Sequence, residues 1–131
     1  MIPPAAAKRR PGTRSSWVPE RQDVIWIDCN PQAGRDMRDV HPFLVLSPRA
    51  FNQKMALVIG LPITTAAYNA DNPFAVVAGA ARAGKISYVL VHQPKSFDWR
   101  LRGAKAHPMK RLGDAPFAQV LARLNKILLL P

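Results

Sequence analysis

The fifteen residues G-R-D-M-R-D-V-H-P-F-L-V-L-S-P, Gly34 to Pro48, join two unlike kinds of sequence. The first part is a turn. Gly tolerates backbone conformations other residues avoid, and Asp bonds its own local backbone. The second part, Phe43 to Ser47, is a short apolar run of the kind a buried strand presents. Turn geometry asks for Gly, Asp and Pro, but not for two Arg, two Asp and a His beside the proline. Functional groups concentrate on loops held by a rigid scaffold, so this loop is a candidate site as well as a fold signal.

Reading outward, the same alternation of short apolar runs and turn residues continues, as in a small β-rich domain. The run D-V-I-W-I-D, Asp23 to Asp28, reads as a first strand closed by Cys29-Asn30-Pro31. Ser47-Pro48 reads as an N-cap with Pro at the first position of a short helical turn ending near Asn52. A third strand spans Ala56 to Ile63. Pro62 cannot donate to a ladder, so pairing is expected to stop or bulge there, leaving Thr64 and Thr65 at a strand end. Phe74 to Ala78 and Ile86 to His92 form a further pair around Gly79 and Gly84. Phe117, Val120, Leu121, Leu124 and Leu128 recur at helical spacing, with Asp114 as the expected N-cap.

About five strands and a C-terminal amphipathic helix predict a strongly bent antiparallel sheet, or small barrel, with the helix packed on it. Strands two, three and five are apolar on both faces. That requires burial between other elements or against a second copy of the chain, and so favours a homodimer.

Length and charge narrow the function. The chain has 131 residues, suited to one domain, and 48% of them are apolar. Its formal charge of +11 favours polyanionic partners. Residues 1–17 read as a basic, disordered arm with no acid, and residues 18–131 as the folded domain. The body past residue 16 keeps fifteen Lys and Arg against eight acids, so the basic character is not confined to the arm. Cys29 is the single cysteine, and no zinc-ligand spacing surrounds it, so a reducing cytoplasm is the expected compartment. No apolar run approaches the ~20 residues needed to span a bilayer, and no membrane partner is expected.

The polar residues at strand ends are Asp36, His41, Thr64, His92 and Gln93. Singly, each has a structural reading: an Asx turn, a surface histidine, a good β-former. Together with their neighbours they closely resemble the MazF/PemK family of toxin endoribonucleases. The resemblance rests on D-V-I-W-I-D-C-N-P, then Gly34 to Pro48, L-P-I-T-T at Leu61 to Thr65, Pro73-Phe74, and H-Q-P-K-S-F-D-W-R-L-R-G-A at His92 to Ala104. It covers the chain from about Val18 onward, in consistent order.

The resemblance implies an SH3-like barrel of the CcdB–MazF type, homodimeric, with a C-terminal helix. It also implies cofactor-free, metal-independent cleavage of single-stranded RNA, restrained by an acidic antitoxin, with operator DNA as a further partner of the toxin–antitoxin complex. By position, Asp36 matches the family's loop Glu, Thr64 its active-site Thr and Gln93 its Gln. The family's catalytic Arg falls at residue 41 and its acid at residue 92, and both are His here.

Imidazoles titrate near neutrality, at about pH 6.5, and serve as proton donors or acceptors there. A His41/His92 acid–base pair is therefore expected, with Thr64 on the phosphate, Asp36 orienting His41, and Arg35 and Arg38 supplying positive charge. Lys95, Arg100 and Arg102, followed by Lys105, Lys110 and Arg111, are expected to follow an RNA backbone. Phe97 and Trp99 lie inside that run, and Trp99 and Trp26 are read as structural. The alternative is a member that has lost cleavage and only binds nucleic acid or antitoxin. A gyrase poison of the CcdB type is a third class, but it needs an exposed aromatic near the C-terminus, where this chain has K-I-L-L-L-P.

Overall fold

The computed structural model describes residues 16–29, 40–80 and 84–131 of the chain. Seven strands form one curled antiparallel sheet, followed by a C-terminal helix, as the bent-sheet expectation required. The strands are β1 (Asp23–Asp28), β2 (Val40–Val45), β3 (Leu57–Thr64), β4 (Ala75–Ala80), β5 (Ile86–Leu90), β6 (Lys95–Asp98) and β7 (Lys105–Arg111). A short helix α1 (Arg49–Met55) joins β2 to β3, and α2 (Asp114–Leu128) closes the chain. The spatial order is β4-β5-β3-β2-β1-β7, with β6 also on β3.

The doubly apolar strands are explained by cores on both faces. Leu44 and Leu46 of the β2 segment join Val24, Leu61, Ile63, Val89 and the α2 residues Phe117, Val120 and Leu124. Phe43 and Val45 point the other way, toward Ile25, Ile27, Val58, Phe97, Trp99 and Val18. Alternation along a strand, with period two, sends neighbours to opposite layers. Trp17 meets Trp99 edge-on, with ring centroids 5.9 Å apart.

Gly60 lets β2 and β3 approach closely. A Cβ there would stand 2.0 Å from the Leu44 carbonyl oxygen and 2.6 Å from the Phe43 ring. Past Gly60 the other edge of β3 changes partner. β6 pairs as far as Gly60↔Lys95, and β5 begins at Ile63↔Val89. Pro62, without an N–H, sits in that gap yet remains opposite Phe43 of β2. The proline thus interrupts pairing on one edge only, and the strand runs on to Thr64.

Several boundaries differ from expectation. β6 and β7 add two strands inside the segment read as a basic run. β5 ends at Leu90, so His92 lies in a turn. Neither expected cap bonds its helix. Ser47 Oγ instead donates to Asn52 Oδ1 and accepts from the Ile59 N–H at 2.9 Å. The N-cap of α2 is Gly113, and Asp114 Oδ1 accepts from Gln22 Nε2 at 2.8 Å. Both hydroxyl and carboxylate are drawn into tertiary bonds that a local capping pattern does not reveal.

Buried polar groups pin the layers. Asn52 is wholly buried, and its Nδ2 donates to the Pro19 and Ser47 carbonyls at 2.8 and 3.0 Å. Its own carbonyl accepts from Trp99 Nε1 at 2.8 Å, so Trp99 is a core residue. Gln22 ties β1 to the start of α2: Nε2 donates to the Leu112 carbonyl at 2.7 Å, and Oε1 accepts from Arg111 at 2.9 Å.

Candidate RNA-binding surface at the strand ends

His41 and Thr64 lie on β2 and β3 just beyond the paired stretch of the two strands. The paired positions are Val45↔Gly60, Leu44↔Leu61 and Phe43↔Pro62. Two residues further on at the same register would come His41 and Thr64, where β2 is paired with β1 at Ile27↔His41 and β3 with β5 at Thr64↔Tyr88. Both residues then share the face of Phe43 and Pro62. His41 is exposed, whereas Thr64 is half-buried. Thr64 Oγ1 accepts the Ala66 N–H at 3.2 Å, which leaves the hydroxyl hydrogen able to donate to a ligand.

His92 and Gln93 occupy the turn between β5 and β6, on the far side of β3. Two interstrand spacings, roughly 10 Å, separate that edge from β2. The two side chains approach each other, with Gln93 Nε2 3.3 Å from His92 Nε2. With the amide donating, the ring nitrogen accepts and the proton of a neutral imidazole sits on Nδ1. Phe74 lies beside the ring at a centroid distance of 6.2 Å. The structure brings His92 and Gln93 together beyond one edge of β3, while His41 and Thr64 lie on adjacent strands past the end of their paired stretch. Arg35, Asp36 and Arg38, and the arm up to residue 15, lie outside the described residues.

The expected cations are distributed. Lys95 is exposed on β6, opposite Gly60. Arg100 lies over the Trp99 ring at 4.9 Å, and Arg102 over Phe97 at 4.7 Å. Arg102 Nη1 also donates to the Asp28 carbonyl at 3.0 Å, which fixes the turn beside β1. Among the described residues no three His, Cys, Asp or Glu side chains gather as a metal-ion site would need.

One feature was not anticipated. A cavity of about 640 Å³ opens beside β1, lined by Trp26, Asp28, Val40, Leu101, Arg102 and Lys105. Trp26 faces it half-buried, with His107 of β7 against the ring at 4.5 Å. His107 Nδ1 accepts the Met109 N–H at 3.0 Å, and burial pushes its pKa below the ordinary value. A tryptophan in a strand pattern reads as core, and only the unlooked-for β7 reveals the aromatic ring against it.

A curled sheet backed by one helix, with polar side chains at its strand ends, defines a small basic half-barrel protein. The chain belongs to the family of PemK-like, MazF-like toxins of type II toxin–antitoxin systems, whose pattern matches residues 20–128. Endoribonuclease toxin MazF of Escherichia coli K12 is 38% identical over 91 residues, covering 69% of this chain and 78% of that protein. Endoribonuclease PemK of Escherichia coli is 29% identical over 110 residues, covering 83% and 81%. The crystal structure of MazF from Deinococcus radiodurans matches with a TM-score of 0.71 and 32% identity, covering 87% of this chain and 99% of that one. A MazE–MazF complex from the same organism matches with a TM-score of 0.72 and 31% identity, covering 88% and 100%.

Proposed function

We propose that this chain is the toxin of a type II pair and an endoribonuclease that cuts single-stranded RNA, mRNA included, with His41 and His92 as its proton-transfer groups. The reading is supported by the β2–β3 register, which, extended by two residues, would set His41 opposite Thr64. Facing side chains on neighbouring antiparallel strands stand roughly 5 Å apart, within reach of one phosphodiester. The relatives, an endoribonuclease toxin MazF and an endoribonuclease PemK, agree with the RNA-cleaving part of it.

In the reaction, a 2′-oxygen attacks the adjacent phosphorus as one imidazole takes its proton. The P–O5′ bond breaks, and the other imidazole gives a proton to the departing 5′-oxygen. The products are a 2′,3′-cyclic phosphate and a 5′-hydroxyl. Thr64 donates to a phosphate oxygen, while Arg35 and Arg38 supply charge in place of the family's Arg. Asp36 orients His41. RNA lying across β3 at Pro62 meets both imidazoles, and Gln93 holds His92. Lys95, Arg100 and Arg102 meet the flanking phosphates.

The working unit in this reading is a homodimer. An acidic antitoxin covers the same cations, consistent with the +11 charge, and the pair together engages operator DNA.

The test is cleavage of a mixed-sequence single-stranded RNA by purified protein in EDTA. His41→Ala and His92→Ala should each lower the rate by about 10²–10⁴-fold, without loss of folding. The pH–rate profile should be bell-shaped between about pH 5 and 8. Full activity in folded His41→Ala would overturn the assignment. A wild type that binds RNA but never cuts it would favour the binding-only alternative.

A further inference from the structure

We propose that the cavity beside Trp26 is a base-binding subsite that takes one unpaired nucleobase of a single-stranded RNA. The inference rests on the RNA reading above and adds a place for a base to that for the phosphate.

Three observations support a base rather than a phosphate, and a fourth suits the backbone that carries it. The lining is mainly apolar, from Trp26, Val40 and Leu101, and its volume of about 640 Å³ is within the range of small-ligand sites. Trp26 is held from one side by His107 at 4.5 Å, so its ring is braced as a stacking surface. The nearly buried Asp28 lines the wall, and a carboxylate can accept hydrogen bonds from base amines, which a phosphate does not offer. Lys105, exposed on the same wall, can meet the sugar–phosphate backbone outside the cavity. An aromatic platform beside cations is the common solution for single-stranded nucleic acid.

Continuity with the proposed cleavage site adds to this. Val40, on the cavity wall, immediately precedes His41, and the two pair with the adjacent β1 residues Asp28 and Ile27. Alternation puts His41 on one face of the ladder and the cavity on the other. A strand whose phosphate sits at His41 can thus turn over the end of β2 and seat a neighbouring base against Trp26.

The experiment measures binding alone. A 12-nucleotide 2′-O-methyl RNA, which lacks the attacking hydroxyl, is compared with an abasic oligomer of the same length on wild type, Trp26→Ala and Leu101→Glu. Leu101 is 73% exposed, so its variant should fold even if Trp26→Ala does not. The ratio of the two affinities is the readout, because general charge effects cancel in it. Each variant should shrink that ratio roughly tenfold, in line with the stacking worth of one base. Wild-type tryptophan emission should change with the base-bearing oligomer and not with the abasic one.

An unchanged ratio in Leu101→Glu overturns the proposal, even if the protein proves to cut RNA. An acidic peptide that binds wild type but not Leu101→Glu, with the RNA ratio untouched, overturns it in favour of a protein ligand. If the ratio falls as expected but the wild type never cleaves RNA, the subsite stands and the catalytic reading fails.

Discussion

Replacing Gly60 with alanine should be among the most damaging single-methyl changes in this chain. The added Cβ would stand 2.0 Å from the Leu44 carbonyl oxygen, where real Cβ contacts stop at 3.0 Å, so roughly 1 Å must be found. Phe43, at 2.6 and 2.9 Å, could swing, but it is fully buried in a packed layer. Leu44 is main chain within the β2–β3 ladder and cannot swing at all. Overpacking typically costs about 1–3 kcal/mol, and an obstacle made of backbone puts this change near about 3 kcal/mol.

For a domain of this size that is a fall of about 12 °C in melting temperature, from roughly 4 °C per kcal/mol. The forced separation of β2 from β3 would also carry Thr64 away from His41, so RNA cleavage should fall further than the folded fraction does. Gly103→Ala is the control. Its φ of +62° disfavours a side chain, but no atom lies within 4 Å, so about 1 kcal/mol is expected. Thermal melts followed by circular dichroism decide the matter. A Gly60→Ala protein melting within about 2 °C of wild type would refute the close approach of the two strands.

Two further outcomes follow from buried groups. Burial lowers the pKa of His107, so above about pH 6.5 its imidazole is neutral in both folded and unfolded chains. As pH falls below about 6.5 the unfolded chain binds the proton first, and stability is lost down through the folded pKa. His107→Gln should therefore reduce the drop in urea midpoint between about pH 7.5 and pH 5, and an unaltered drop would contradict this. Trp99→Phe keeps most of the ring but leaves the buried Asn52 carbonyl without its donor, a loss of about 1–2 kcal/mol in urea titration.

The parts of the fold legible in the sequence were those with an apolar signature. β1, β2, β3 and α2 declare themselves because their buried faces repeat at period two or 3.6. β6 and β7 do not, because Lys95–Asp98 and Lys105–Arg111 are largely solvent-facing, and the latter is cationic. Their pairing with Val58 and Ile25 is a tertiary fact without a local pattern. Ser47 misled for a related reason: Ser before Pro has the form of a cap, but Asn52 and Ile59 took its hydroxyl. At the site, Thr64 could be placed at a strand end from Pro62 alone, whereas its neighbourhood to β2 needed the strand pairing. Trp26 looked like ordinary core until β7 laid His107 against it.

The two edges of β1 differ sharply in how far along the chain their partners lie. β2 follows after a single loop, but β7, which takes the other edge through Asp23↔Arg111 and Trp26↔Lys105, comes some eighty residues later. Loop closure over such a span is slow and brings its reward only once the distant strand exists. On a translating ribosome, then, β1 keeps a bare edge until nearly the whole domain has been synthesised, and the α2 side of the core waits longer still. A chain interrupted before Lys105 leaves that edge of β1 unpaired, and a toxin of this build takes its folded form only once β7 and α2 have been made.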